Sequence, residues 1–441
     1  MKCNLLFLVL LVIPFKGNCQ KMLFQHATLV DGTGNPPLEN VDLLINNGKI
    51  EQIGKGLNVR GAQRQNLKGK TIMPALISAH VHVGAFDGTV TGAQAYTRAN
   101  ILRQLKKYQD YGVTTILSLG TDKPLIFEGL RDSSQVGLLP GARLFSAGYG
   151  FKIPHSGGSF EKDLTYYPDN PDEVQQQMES LAKLKPTAVK MWVDDFGGSG
   201  PKLSPPISTS IIQEAHRHNV LAAAHLYYVS DAHTLVDAGL DVIAHSIRDR
   251  EVDDALLQKM KQKDVIYVPT LTLDQYAFSY GERPQWVDDP FFRASLDHGV
   301  FEMITSEKYQ ENIKNSPSYN RNFKSLKTAL INLKRIADAG ITVALGTDSG
   351  AFPVRTQGYS EHLELELMVQ AGLTPLQVIT AATKNAARAL KIDHELGTLE
   401  AGKIADFVIL SANPVNDIRN TRKIESVWKG GKMVSQGPLK H

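Results

Sequence analysis

Two histidines, His80 and His82, stand two residues apart in ALISAHVHV. On a β-strand that spacing puts both imidazoles on one face. Comparable Val/Ile/Ala-rich runs end in three further groups: His225 in LAAAHLY, His245 in DVIAHS and Asp348 in VALGTD. A fourth such run, AVKMWVDD, contains Lys190. Imidazole and carboxylate together suit zinc, and also manganese, iron or nickel. Any one of these histidines alone is more often a hydrogen-bonded polar residue than a metal ligand. All six groups at strand ends argue for convergence on one point. The set exceeds what one tetrahedral ion needs, which points to two divalent ions about 3.5–4 Å apart.

Lys190 is the odd member. Its run alternates, with Val189, Met191 and Val193 on one face and Lys190, Trp192 and Asp194 on the other. On a solvent-facing edge this lysine would be ordinary. Turned inward, a charged amine costs several kcal/mol unless it is paired. Beside two cations, desolvation and repulsion both favour the neutral amine. A neutral amine can add carbon dioxide: an N–C bond forms, a proton leaves to solvent, and the product is a carbamate anion. Its two oxygens offer one ligand to each ion. The expectation is N6-carboxylysine at Lys190.

The elements that must position these groups repeat one pattern. An amphipathic helix reaches a glycine or asparagine stop, and a short β-branched run follows. YGVTTILSLG (111–120), HNVLAAAHLY (218–227), AGLDVIAHS (238–246), KDVIYVPTL (263–271) and AGITVALGTD (339–348) fit it. With TIMPALISAHVHV (71–83), ARLFSAGYG (142–150) and TAVKMWVDD (187–195) the pattern predicts eight strands. Helices are expected over 97–112, 171–185 and 325–340. Eight β/α units in roughly 270 residues predict an α/β fold, a (β/α)8 TIM barrel with its chemistry at the C-terminal strand ends. A doubly wound open sheet competes, but no glycine-rich phosphate fingerprint follows an early strand. Both chain ends read differently, as hairpins with Asn47-Gly48 and Gly430-Gly431 turns. Residues 20–71 and 393–441 are therefore expected to form one small β-sandwich domain beside a barrel over 72–392. An aromatic-rich insertion, 272–320, is either a packed surface excursion or a lid.

Composition sets the outer limits. The 441 residues are 42% hydrophobic and 21% charged with a net charge of +3, and carry no basic block, so nucleic acid is not an expected partner. The start is distinctive: Lys2, the apolar run LLFLVLLVIP, then KGNCQ. This reads as a signal peptide over 1–19, too short to span a bilayer, which predicts export and no transmembrane helix in the mature chain. Cys19 is the alternative site of a lipid anchor. Cys3 and Cys19 are the only cysteines, so cleavage leaves no intramolecular disulfide. A homo-oligomer stays open.

The HxH of AHVH, the lysine of AVKMW, the histidines of AAAHLY and IAHS, and the aspartate of LGTDSG together resemble the amidohydrolase superfamily. The resemblance is to members with a binuclear centre and a carboxylated lysine, and covers nearly the whole mature chain. It implies that His80, His82 and Asp348 hold the more buried ion, that His225 and His245 hold the other, and that Lys190 bridges them. One departure is Ser78, where the family often has an aspartate two residues before the first histidine. The chain looks most like the imidazolonepropionase-related group that includes prolidase-type dipeptidases. That likeness implies a carbonyl-polarising Tyr227 and a substrate-contacting His155 in IPHSGG. Arg248 and Arg250 follow His245, and Arg248 is a candidate for a substrate carboxylate; ion pairs with Asp249, Glu251 or Asp253 are the alternative. The implied reaction is hydrolysis of a C–N amide bond by a metal-bridging hydroxide, with Asp348 as proton shuttle and a dipeptide or N-acyl amino acid as substrate. A cyclic-amide hydrolase and a non-catalytic metal- or ligand-binding protein are the alternatives, and a lyase or isomerase has least support.

Overall fold

A computed structural model describes residues 21–153, 165–198 and 200–440. The expected signal peptide, with Cys3 and Cys19, lies outside the described residues. Every run expected as a strand contains one: β1 (Leu76–Val81), β2 (Val113–Ser118), β3 (Arg143–Ser146), β4 (Ala188–Val193), β5 (Leu221–Leu226), β6 (Val242–Ala244), β7 (Ile266–Val268) and β8 (Thr342–Val343). Their side chains are buried on both faces, as continuous apolar runs require. All are parallel to their neighbours.

The pairing falls into two sheets. One has three strands, in the order β3-β2-β1; the other has seven, β4 to β8 in sequence beyond the short strands Gly150–Phe151 and Thr165–Tyr166. Backbone bonds link their margins. Thr187 N donates to Ser146 O at 2.8 Å, and Ala79 N donates to Leu345 O at 2.8 Å. A parallel bridge joins Val81 to Ser349. The first and last strands of the series are therefore neighbours, which brings His80 and His82 beside Asp348.

The run 71–83 is two strands, not one. Ala75 N donates to Asp406 O while Leu76 N donates to Gly112 O, so consecutive residues bond into different sheets. Thr71–Pro74 pairs with Phe407–Leu410 in an eight-stranded sheet drawn wholly from the two chain ends. Phe24, Phe407 and Trp428 pack edge-on and stacked at its core, with centroids 5.0–5.6 Å apart. The two predicted hairpin turns touch each other. A Cβ on Gly48 would lie 2.8 Å from Gly430 O, and Asn47, Gly48, Gly430 and Gly431 all have positive φ. Glycine is needed there for approach as much as for backbone angle.

Helices cover the parallel strands. The first, Arg98–Asp110, starts where the Thr97 hydroxyl accepts from Asn100 N, a cap stabilising it by about 1 kcal/mol. The longest, Tyr319–Asp338, buries Leu326, Ala329, Leu333 and Ile336 along one stripe. The insertion is helical and packed. Tyr276, Tyr280, Phe291 and Phe292 are buried, and Phe291 and Phe292 stand edge-on or tilted against Tyr359. These four aromatics fill core space, each contributing about 1.5–3 kcal/mol by burial.

Candidate active site

Four imidazoles lie in one file across the strand ends. Ring centroids are 5.6 Å apart for His82 and His80, 4.6 Å for His80 and His245, and 4.3 Å for His245 and His225. Ligand atoms of His80, His82 and Asp348 all fall within 4.8 Å of one another, the one such grouping among the described residues. Asp348 Oδ1 is 2.9 Å from His82 Nε2 and 3.3 Å from His80 Nε2. Burial, and after it the charge of Lys190, lowers the His80 imidazole to about 3. Burial also lowers His225 and His245. These three rings are neutral near pH 7, the form that binds metal.

Lys190 lies close to these donors, its charge acting on His80, His225 and His245. It is 0% exposed and its Nζ has no hydrogen-bond partner. Desolvation pulls its amine down to about 7, against a smaller upward pull from Asp348. A Cβ on Gly120 would come within 3.1 Å of the Lys190 stem, and one on Gly150 would overlap the Trp192 ring that flanks it. Nδ1 of His80 and Nδ1 of His225 are likewise buried without hydrogen-bond partners. Burying unpaired polar atoms costs about 1–3 kcal/mol each, so so many in one place signals a ligand rather than a packing solution. A divalent ion pair, with an anion at Lys190, would satisfy them. The donor set fits.

Neighbouring groups orient the imidazoles. His225 Nε2 lies 2.9 Å from Asp194 Oδ2, and His245 Nδ1 lies 2.8 Å from Thr270 Oγ1. The backbone is held in uncommon angles here, with φ +85° at His245 and +58° at Asp348. Such angles cost about 1–3 kcal/mol in non-glycine residues and concentrate at functional sites. Next to Asp348, a Cβ on Gly350 would sit 1.9 Å from His82 O. Only glycine lets the loop after β8 close over the HxH strand.

Three residues absent from the sequence reading complete the surroundings. Arg355 pairs with Asp348 Oδ2. Burial would raise the Asp348 carboxyl, but Arg355 and the two imidazoles outweigh it and hold it well below the usual range. Asp274 holds Arg248, with Arg248 Nε 2.7 Å from Asp274 Oδ1, so this arginine is in a buried ion pair rather than one with Asp249, Glu251 or Asp253. Glu361, fully buried, accepts from Thr347 Oγ1 at 2.7 Å and Ser349 Oγ at 2.9 Å, the residues on either side of Asp348. It also lies 3.4 Å from Ser78 Oγ and accepts from Gly358 N at 2.8 Å. Glu361→Gln keeps one accepting oxygen in place of two. It should weaken metal binding by roughly 10–100-fold, measured by titration with a chelating indicator; unchanged affinity would show that Glu361 does not hold the Asp348 segment.

A family model described as "Amidohydrolase family" matches residues 71–434. The chain belongs to the amidohydrolase family. Ochratoxinase of Aspergillus niger is 26% identical over 475 residues, covering 97% of this chain and 89% of that protein. Imidazolonepropionase of Brevibacillus brevis is 22% identical over 474 residues, covering 93% and 96%. The solved structure of a Xaa-Pro dipeptidase with bound methionine in the active site matches with a TM-score of 0.75 at 21% identity, over 94% of this chain and 99% of that one, which shows a shared fold. Within that family the chain is similar to imidazolonepropionase in sequence and to a prolidase-type dipeptidase in fold. This amidohydrolase is a hydrolase of carbon–nitrogen bonds.

The amidohydrolase brings His80, His82, Lys190, His225, His245 and Asp348 together. Tyr227 lies beside Arg248, whose guanidinium is 4.7 Å from its ring centroid, and its hydroxyl meets Ser325 Oγ at 2.6 Å. His155 lies outside the described residues. No helix among the described residues is long and apolar enough to cross a membrane.

Proposed function

We propose that this amidohydrolase is an exported, binuclear zinc enzyme that cleaves the amide bond of an N-acyl amino acid or a dipeptide. The observation that carries the reading is the Lys190 amine, buried without a hydrogen-bond partner near the His80, His225 and His245 imidazoles and lowered to about 7 by desolvation. That is the state an amine needs in order to take up carbon dioxide. The architecture proposed with it is a closed (β/α)8 barrel over 72–392, with residues 20–71 and 393–441 folded as a small sandwich.

In this reading His80, His82 and Asp348 would hold one ion, His225 and His245 would hold the second, and carboxylated Lys190 would supply an anionic ligand between them. When bound, the ions supply a hydroxide at neutral pH and polarise the scissile carbonyl. Asp348 takes the proton and returns it to the leaving nitrogen, as general base and then general acid. Asp194 and Thr270 fix the rings of His225 and His245 by hydrogen bonding a nitrogen of each. Tyr227 is assigned to donate its hydroxyl to the substrate carbonyl, giving up its contact with Ser325 Oγ, and His155 is assigned to substrate contact. Arg248, sequestered by Asp274, stacks on and steadies the Tyr227 ring.

A second reading, hydrolysis of a cyclic amide, draws on the imidazolonepropionase likeness along 93% of the chain. A panel of dipeptides, N-acyl amino acids and lactams, run with zinc-loaded protein, separates the two. The first reading expects turnover on linear amides at least about tenfold above any lactam; the reverse order would replace it with the second. Bound zinc with no turnover on any member would favour a binding protein.

A further inference from the structure

The two arginines at this site are not equivalent. Arg248 is committed: buried, paired through Nε with Asp274, and donating Nη1 to Ser246 O at 2.6 Å. Arg355 has a contested partner. The Asp348 carboxylate it pairs with is also within 2.9 Å of His82 and 3.3 Å of His80. Those are groups suited to share a cation with Asp348, and a carboxylate enlisted by a cation has less charge to offer a guanidinium. Arg355 then needs another anion.

Its setting says where that anion comes from. The Arg355 side chain keeps 19% of its surface exposed, whereas Asp348 beneath it keeps 8%. It therefore stands on the solvent side of the carboxylate. Its guanidinium lies 5.0 Å from the ring centroid of Phe352, which is itself 53% exposed. The segment that carries both residues begins at Gly350 and ends at Gly358, each with φ near +85°. A planar fork of donors thus sits beside an uncovered aromatic ring, in direct contact with the proposed proton carrier.

We propose that Arg355 receives a free carboxylate of the substrate through paired hydrogen bonds, and thereby restricts this enzyme to amides whose leaving group is an amino acid. The proposal rests on the amide-hydrolase reading above and deepens it. Guanidinium suits the task because its geometry matches a carboxylate and its charge is permanent. The exposed Phe352 offers apolar surface to the acyl or side-chain portion of the same substrate.

The test compares an N-acetyl amino acid with its carboxamide, on zinc-loaded full-length protein and its Arg355→Met and Arg355→Lys variants. In the original enzyme the acid is preferred in kcat/KM. Arg355→Met should shrink that preference by roughly 10–100-fold, mostly through KM, with zinc content retained and partial recovery in Arg355→Lys. An unchanged preference, or a loss confined to zinc content, would overturn the proposal and leave Arg355 as a partner of Asp348 alone. If neither amide is cleaved, the hydrolase reading fails. Calorimetric binding of the free amino acid against its amide then still decides: a preference for the acid that disappears in Arg355→Met upholds the role of Arg355, and equal binding of the two by the original protein overturns it.

Discussion

Lys190→Met protein is expected to lose turnover by more than about 100-fold and to bind no more than one zinc ion per chain. Loss of a group that merely orients a metal ligand costs about 10–100-fold in affinity or activity, and Lys190 is argued to be a ligand to both ions. Methionine fills nearly the same volume, so the packing against Gly120 and Trp192 survives. The metal-free variant should also differ in stability. In the folded chain the Lys190 amine loses its proton near pH 7, and in the unfolded chain only near the ordinary value of 10.5. Between those values the unfolded chain binds the extra proton, so metal-free stability rises with pH across that window, on the order of a few kcal/mol in total. Lys190→Met removes that slope. Denaturant unfolding of both proteins at several pH values between neutrality and the unfolded-state value checks this. A parallel pair of stability curves would mean that Lys190 is not buried as an unpaired amine.

Asp348→Asn is expected to lower kcat by about 100- to 10,000-fold, the usual contribution of a positioned acid–base group. The amide keeps the shape of the carboxylate and one ligand oxygen, while His80 and His82 remain, so most zinc should be retained. The acid limb of the pH–rate profile should disappear with the titrating group. Near-normal kcat in the zinc-loaded variant would remove Asp348 from proton transfer. Because Asp348 also carries the pair with Arg355, the variant should be assayed at saturating substrate, where changes in KM do not enter.

The legible and illegible parts of this site divide along one physical line. Strand positions follow from β-branched runs after helix-ending glycines, and all the proposed metal donors sit in or just beyond such runs. Asp194 shares a strand face with Lys190 in the sequence, but its hydrogen bond to His225 carried no mark there. The run 71–83 misled because two abutting strands, each buried on both sides, leave the same apolar signature as one long strand. The partners of Arg248 and Asp348 were hidden for another reason. Asp274 and Arg355 reach them from a helix and a loop whose paths are set by tertiary packing, with no periodicity to mark them. Glu361 was hidden likewise, in a helix buried on nearly every side so that no single apolar face stands out. Composition could not decide the role of the insertion, because a core aromatic and a lid aromatic read alike; the buried Tyr276, Tyr280, Phe291 and Phe292 show where these went.

The central claim is that an unpaired interior amine becomes the anion that joins two cations. The direct measurement is reconstitution of metal-free, bicarbonate-depleted protein, scored by bound zinc per chain and by amide turnover. Zinc and bicarbonate together should restore both, with two ions per chain, and zinc alone should restore neither fully. Full occupancy and full turnover from zinc alone, with carbon dioxide rigorously excluded, would contradict the account.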